Sequence, residues 1–148
     1  MKRYILDTCV LLIFIFCVSC SGIDINDENK VLDEIQGNWI GIEKINEMYM
    51  HVRLNISDDS FQGWLMMTNS EKEPEWTVLP DEFGSFSLSS VMDDQNENGR
   101  FRKLSFSVSG RCCGDKSRIV TTLSDLLRYH DKKGLQFGHE KLRKIPGL

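Results

Sequence analysis

Asp94-Gln95-Asn96-Glu97-Asn98-Gly99 sets oxygen-bearing side chains at alternate positions ahead of a glycine. That is the first half of a loop able to wrap Ca²⁺. The second half departs from the pattern: Ser105 stands where a bidentate glutamate would close the shell, and Arg100 and Arg102 bring cations nearby. A hairpin loop with an Asn98-Gly99 turn accounts for the same residues and is the reading adopted. Gly110-Arg111-Cys112-Cys113-Gly114-Asp115 holds two adjacent thiols. Bridged cysteines have Cα atoms about 4.4–6.8 Å apart, whereas chain neighbours lie about 3.8 Å apart, so a vicinal bridge would be strained. Unbridged thiols are expected. The flanking glycines mark a turn, where a vicinal bridge is least disfavoured; an intermolecular bond or a metal role is the remaining alternative. His51, His130 and His139 are the only histidines and stand far apart with no paired spacing, so no zinc site is expected. There is no G-x-S-x-G, Asp58-Asp59 and Asp93-Asp94 are loop carboxylates, and Asn55-Ile56-Ser57 matches a glycosylation sequon. No constellation requires catalysis, and the chain is read as a non-enzyme with neither cofactor nor metal.

The N-terminus carries a different chemistry. Lys2, Arg3 and Tyr4 precede Cys9–Val18, an unbroken apolar run of 10 residues. A spanning helix needs roughly 20, so the run suits a signal-peptide core, although Asp7 is unusual there. Val18-Ser19-Cys20 resembles the lipobox of bacterial lipoproteins, with Cys17 in place of the usual leucine. The resemblance implies cleavage before Cys20, a diacylglyceryl group on its sulfur and a three-chain anchor in the membrane. Ser21 after the cysteine implies outer-membrane sorting, and Asp24, Asp27 and Glu28 point to surface display. An uncleaved anchor helix over Tyr4–Ser19 is the alternative, at the cost of placing Asp7 in lipid. The 148-residue chain has 18 basic and 22 acidic residues, net −4. Losing Lys2, Arg3 and Asp7 makes it one charge more negative, which argues against nucleic acid as a partner. The expected organisation is a signal peptide at 1–19, a tether at 20–29 and one domain over 30–148.

The elements follow from periodicity. Val31, Leu32 and Ile35 share a helical stripe that Gly37 can end. From there the period is two. Met50, Val52, Leu54 and Ile56 face one way along Tyr49–Ile56, Ser57–Ser60 is a hairpin loop, and Phe61, Leu65 and Met67 share a face of the return strand opposite Trp64 and Met66. A short strand is expected over Trp76–Leu79, further strands over Phe83–Val91 and around Leu104, Phe106 and Val108, and a β-rich stretch over Arg118–Leu123. Lys132-Lys133-Gly134 marks a hairpin between Leu127–Asp131 and Leu135–Glu140, and a last strand is expected to run to Lys144 before Pro146. Residues 124–131 could instead form a helical turn. Strands at roughly 8–12-residue spacing indicate a sandwich or barrel.

Gln36-Gly37-Asn38-Trp39-Ile40-Gly41 resembles the G-x-W opening of lipocalin-like (calycin-type) barrels, in which a short helix precedes a tryptophan that plugs one barrel end. The resemblance implies an all-β fold, an antiparallel up-and-down barrel of about eight strands, with Val31–Ile35 as the helix and Trp39 as the plug. Met50, Val52, Leu54, Phe61, Leu65, Met67, Phe86, Leu88, Leu104, Phe106 and Val108 would then point inward, either as plain core or around a small hydrophobic ligand. The expected function is a membrane-anchored envelope lipoprotein binding a small apolar ligand or a protein partner. The alternative is a non-catalytic structural or accessory subunit of an envelope complex with a filled barrel. A patch around Trp64, Trp76 and Tyr49 would favour a partner.

Overall fold

The computed structural model describes residues 22–111 and 119–147. Cys20, Cys112, Cys113, Arg118 and the apolar run Cys9–Val18 lie outside the described residues. The element order is α1 (Glu28–Ile35), β1 (Gly37–Ile45), β2 (Met48–Ser57), β3 (Ser60–Thr68), β4 (Glu82–Leu88), β5 (Met92–Asp94), β6 (Gly99–Arg111), α2 (Ile119–Leu126), β7 (Leu127–His130), β8 (Gly134–Phe137), β9 (Glu140–Lys141) and β10 (Arg143–Ile145). The strands form a nearly closed antiparallel barrel in the order β10-β1-β2-β3-β4-β6-β7-β8-β9, with β5 paired to β6 off this path. Neighbours in space are neighbours in sequence, so the barrel is up-and-down, with nine strands on its path rather than about eight.

α1 forms because Asp27 caps it, accepting a hydrogen bond from the Lys30 amide at 3.3 Å. Val31 and Ile35, one turn apart, are fully buried. Gln36 holds its other end: Nε2 donates to the Leu32 and Asp58 carbonyls, and Oε1 accepts from the Asp58 amide at 2.7 Å. The helix is thereby tied to the β2–β3 hairpin. Trp39 lies in the core with its indole Nε1 donating to the Ile35 carbonyl at 2.7 Å and the Lys144 ammonium 5.2 Å from the ring centroid. Helix and tryptophan close one barrel end together.

The segment before α1 is not a loose tether. Ile25 is 1% exposed. Arg102, itself buried, donates from Nε to the Ile25 carbonyl, from Nη2 to the Asn26 carbonyl and from Nη1 to the Ser89 carbonyl at 2.8, 3.1 and 2.8 Å. Charged donors make the stronger hydrogen bonds, so the ordered domain begins before Lys30.

Two other expectations differ from the structure. Trp76–Leu79 is irregular. Proline at 74 and 80 brackets it, and its Thr77 carbonyl serves a side chain on β3 rather than a strand ladder. The β-rich stretch from Arg118 is helical in its described part, α2. Leu123 is fully buried and Leu126 packs against the core three residues on, so tertiary burial overrides β propensity. Residues 124–131 divide accordingly, with helix to Leu126 and strand from Leu127.

The β4–β6 ladder carries a register shift at Phe83/Gly84, where Gly84 opposes Val108 and Phe83 opposes Gly110. A Cβ on Gly84 would stand 2.0 Å from the Ser107 carbonyl oxygen and 2.8 Å from the Ser109 amide nitrogen. Both are backbone atoms of the bulge and cannot step aside cheaply. Gly84→Ala should therefore lower stability by about 1–3 kcal/mol in urea unfolding. Gly22→Ala, with no described residue within 4 Å of the added carbon, should leave the midpoint unchanged. Equal midpoints for the two variants would contradict this placement of the bulge.

Candidate functional site

Of the expected inward set, Val52, Leu54, Phe61, Phe86, Leu104 and Phe106 are buried in one cluster with Ile25, Val31, Ile35, Trp39, Leu127, Tyr129, Leu135, Phe137 and Leu142. Phe61 meets Phe106 edge-to-face at 4.8 Å, and Phe86 lies 6.0 Å from Phe106. Met50, Leu65 and Leu88 are half-buried against this cluster, and Val108 is half-buried. Met67, paired with Met50 near the end of β3, departs from the expectation: it is 45% exposed. The ladder from β3 to β4 stops at Gly63, so among the described residues no strand pairs with Met67 on that side.

The outer face of β1–β3 is also covered. Ile40 pairs with Arg53, and Arg53 with Trp64. All three are buried although strand alternation turns them away from the interior. Residues 69–81 fold back over them. Trp64 Nε1 donates to the Thr77 carbonyl at 3.0 Å, the Leu65 amide donates to Asp81 Oδ2 at 3.0 Å, and the Asp81 amide donates to the Gly63 carbonyl at 2.9 Å. His51 Nε2 lies 3.0 Å from Thr68 Oγ1 and 2.9 Å from the Ser70 carbonyl. The Arg53 guanidinium stacks on Trp64 with 5.0 Å to the ring centroid, while its Nε and Nη2 have no hydrogen-bond partner among the described residues.

Between this flap and the β9–β10 segment opens a cleft of about 280 Å³, lined by Ile40, Ile42, His51, Glu71, Glu73, Trp76, Glu140, Lys141 and Arg143. Its floor is apolar and its rim carries both signs of charge. Trp76 is held by a hydrogen bond from its Nε1 to Glu73 Oε1 at 3.0 Å, and Arg143 Nη2 faces Glu73 Oε2 at 3.9 Å. Beyond the cleft the flap presents Val78, 92% exposed, and Leu79. Of the three residues proposed as a patch, Trp76 lines the cleft, Trp64 lies beneath the flap and Tyr49 is half-buried under the Lys44 ammonium at 5.7 Å. The cleft as a unit was not legible in the sequence, because its parts come from residues 40–51, 71–76 and 140–143; Trp76 was the one signal.

A second assembly lies where the β5–β6 and β7–β8 hairpins meet. Asp94-Gly99 is a hairpin turn, as the Asn98-Gly99 reading expects. Asp94 Oδ1 accepts from the Asn96 and Glu97 amides, both at 3.0 Å. Burial alone would raise the Asp94 carboxyl, but those two amides and the Arg128 charge outweigh it and hold it below its ordinary 3.8. Glu97 is held low chiefly by its hydrogen bond from Lys133 Nζ. Arg128 Nη1 stands 3.0 Å from Asp94 Oδ2, an ion-pair contact without hydrogen-bond geometry. His130, expected to stand alone, is brought to this turn. Its imidazole occupies the space a side chain at Gly99 would need, since a Cβ there would lie 2.4 Å from Cε1. Asp94, Glu97 and His130 offer one ligand atom each, all within 4.8 Å of one another. His51 and His139 are not part of this group.

No family model matches the chain, and neither does any curated protein or solved structure. Among the described residues no helix is long and apolar enough to cross a membrane.

The flap is held by few bonds, and Trp64→Phe removes one of them while keeping most of the buried ring. The cost should be about 1 kcal/mol. It should appear as faster tryptic cleavage after the exposed Lys72 with little change in the global unfolding midpoint. Cleavage at the wild-type rate would show that the Thr77 bond does not hold the flap.

Proposed function

We propose that the chain is an envelope lipoprotein, anchored by lipid on Cys20, whose barrel is a filled scaffold and whose flap cleft docks a protein partner. The observation that carries the reading is the contrast between the two faces. The interior is occupied by an interlocked aromatic and aliphatic cluster, whereas the outer face keeps a cleft with an apolar floor, a mixed-charge rim and exposed Val78 beside it. Apolar centre and polar rim are the arrangement of protein interfaces. A small apolar ligand inside the barrel is the weaker reading, because six of the residues proposed to line its site are fully engaged with one another. Outer-membrane placement rests on the lipobox-like Val18-Ser19-Cys20 and on Ser21. We read the protein as a binding or accessory module and not as an enzyme.

If Cys20 carries the anchor, Cys20→Ser should move the protein from the membrane to the soluble fraction or block its processing. Unchanged membrane association would assign the anchor to an uncleaved helix instead. A photo-crosslinker at Val78 should trap one discrete partner in intact cells, and the trap should be lost with Trp76→Ala, while a crosslinker at Gln62 should trap none. Native mass spectrometry of the detergent-extracted protein should show no bound small molecule. A stoichiometric apolar ligand there would return the interior-binding reading in place of this one.

A further inference from the structure

We propose that Asp94, Glu97 and His130 form a binding site for a divalent transition-metal ion that clamps the β5–β6 turn onto β7. The three donors, one imidazole nitrogen and two carboxylate oxygens, lie within 4.8 Å of one another. Zinc takes such ligands at about 2.0–2.2 Å, so two donors of one ion stand at most about 4.2 Å apart, and the three donors would draw together on binding from their spread of up to 4.8 Å. His130 Nε2 and Asp94 Oδ2 are separated by 3.9 Å. That is too far for a hydrogen bond and within the span of a shared ion.

The independent observation is the imidazole itself. His130 is 1% exposed, and among the described residues its Nε2 has no hydrogen-bond partner although it faces a carboxylate. Native interiors rarely leave such an atom unmatched. The other ring nitrogen, Nδ1, accepts from the Lys132 amide at 3.1 Å and lies 3.2 Å from Asp131 Oδ1, a contact without hydrogen-bond geometry that leaves this oxygen unmatched among the described residues. The two tautomers divide these neighbours. With Nδ1 bare, it accepts from Lys132 and leaves an Nε2–H pointing at Asp94 without a bond. With Nδ1 protonated, the Lys132 bond is given up, a small turn of the ring or of Asp131 lets Nδ1 donate to Oδ1, and Nε2 presents its lone pair on the Asp94 side. The second state is the carboxylate–histidine–metal arrangement, in which the outer carboxylate orients the ring.

Two cations compete for the same carboxylates. Arg128 contacts Asp94 and Glu97 at 3.0 and 3.8 Å, and Lys133 bonds Glu97. Arg128 has other partners to fall back on, since its Nε donates to Gln136 Oε1 at 3.1 Å and its guanidinium lies over Phe101. The imidazole and the small donor number favour zinc, nickel or copper over calcium, which takes six to eight oxygens. The D-x-N-x-N-G turn thus contributes Asp94 and Glu97 to a site completed from another strand.

The test is calorimetric titration of Zn²⁺ into the full-length protein in detergent with its thiols alkylated, alongside thermal unfolding. Wild type should bind one ion and unfold at a higher temperature with zinc than with chelator. Glu97→Gln, whose side chain is partly exposed and should not disturb folding, should weaken binding about tenfold or more, and His130→Gln should abolish it. Asp131→Asn should weaken it on the order of 10–100-fold, and Arg128→Met should tighten it by removing the competing cation. His139→Ala should bind like wild type. No zinc-dependent shift in wild type, or equal binding by wild type, Glu97→Gln and His130→Gln, would overturn the proposal.

Discussion

The barrel depends on the way its first and last strands meet. β9 pairs with β8 and β10 pairs with β1, so the six residues from Glu140 to Ile145 join both free edges of the sheet, with Leu142 as the step between them. Leu142 is 2% exposed, and its amide donates to the Leu135 carbonyl at 2.9 Å. It fits because β1 has no side chain at the crossing point: a Cβ on Gly41 would lie 2.3 Å from Leu142 Cδ2. Unpaired strand edges are a liability in any open sheet, and here one short segment covers two of them. The interior can then be dry, and the aromatic cluster around Phe106 can pack without solvent access from the side.

Closure also bears on the proposed docking site. With the interior committed to packing, the outer face of β1–β3 carries the recognisable surface, roofed by residues 69–81 and bounded by the same β9–β10 segment that seals the seam. Arg143 illustrates the double duty. Its backbone pairs with Ile40 across the seam, and its side chain lines the cleft and faces Glu73. A partner that presses on the cleft presses on the closing strand. At the opposite margin, Arg102 fastens the N-terminal segment through the Ile25 and Asn26 carbonyls and ties it to the Ser89 carbonyl, so only four residues would separate the proposed lipid on Cys20 from the anchored Ile25.

Much of the fold was legible because alternation is a local property. Val52, Leu54 and Phe61 repeat every second residue and end in the core. Lys132-Lys133-Gly134 turns where it should, with His130 paired to Gly134, and the helix before Trp39 sits where the G-x-W resemblance put it. The misses have a common physical origin in partners remote in sequence. Trp64 and Arg53 alternate away from the barrel interior, where spacing alone shows no cover, yet a flap from 69–81 lies over them. Ile25 sits among polar residues and reads as linker, yet Arg102 on β6 pins it. Ile119–Leu126 begins with β-branched residues, yet the burial of Leu123 selects a helix. The Asp94 loop was correctly a hairpin, but that reading could not see His130, because the register Phe101↔His130 is fixed by the barrel and not by spacing in the chain.

The most direct test of the account is native-state amide hydrogen exchange at the seam. If one short segment seals a filled barrel, the Leu142 amide should exchange as slowly as those of Val52 and Leu54 in the middle of β2, and all three should respond alike to denaturant, since only global unfolding exposes them. A Leu142 amide that exchanges orders of magnitude faster, with no denaturant dependence, would mean that the seam opens by itself. That result would contradict the closed, filled barrel on which the proposal of an outer binding face rests.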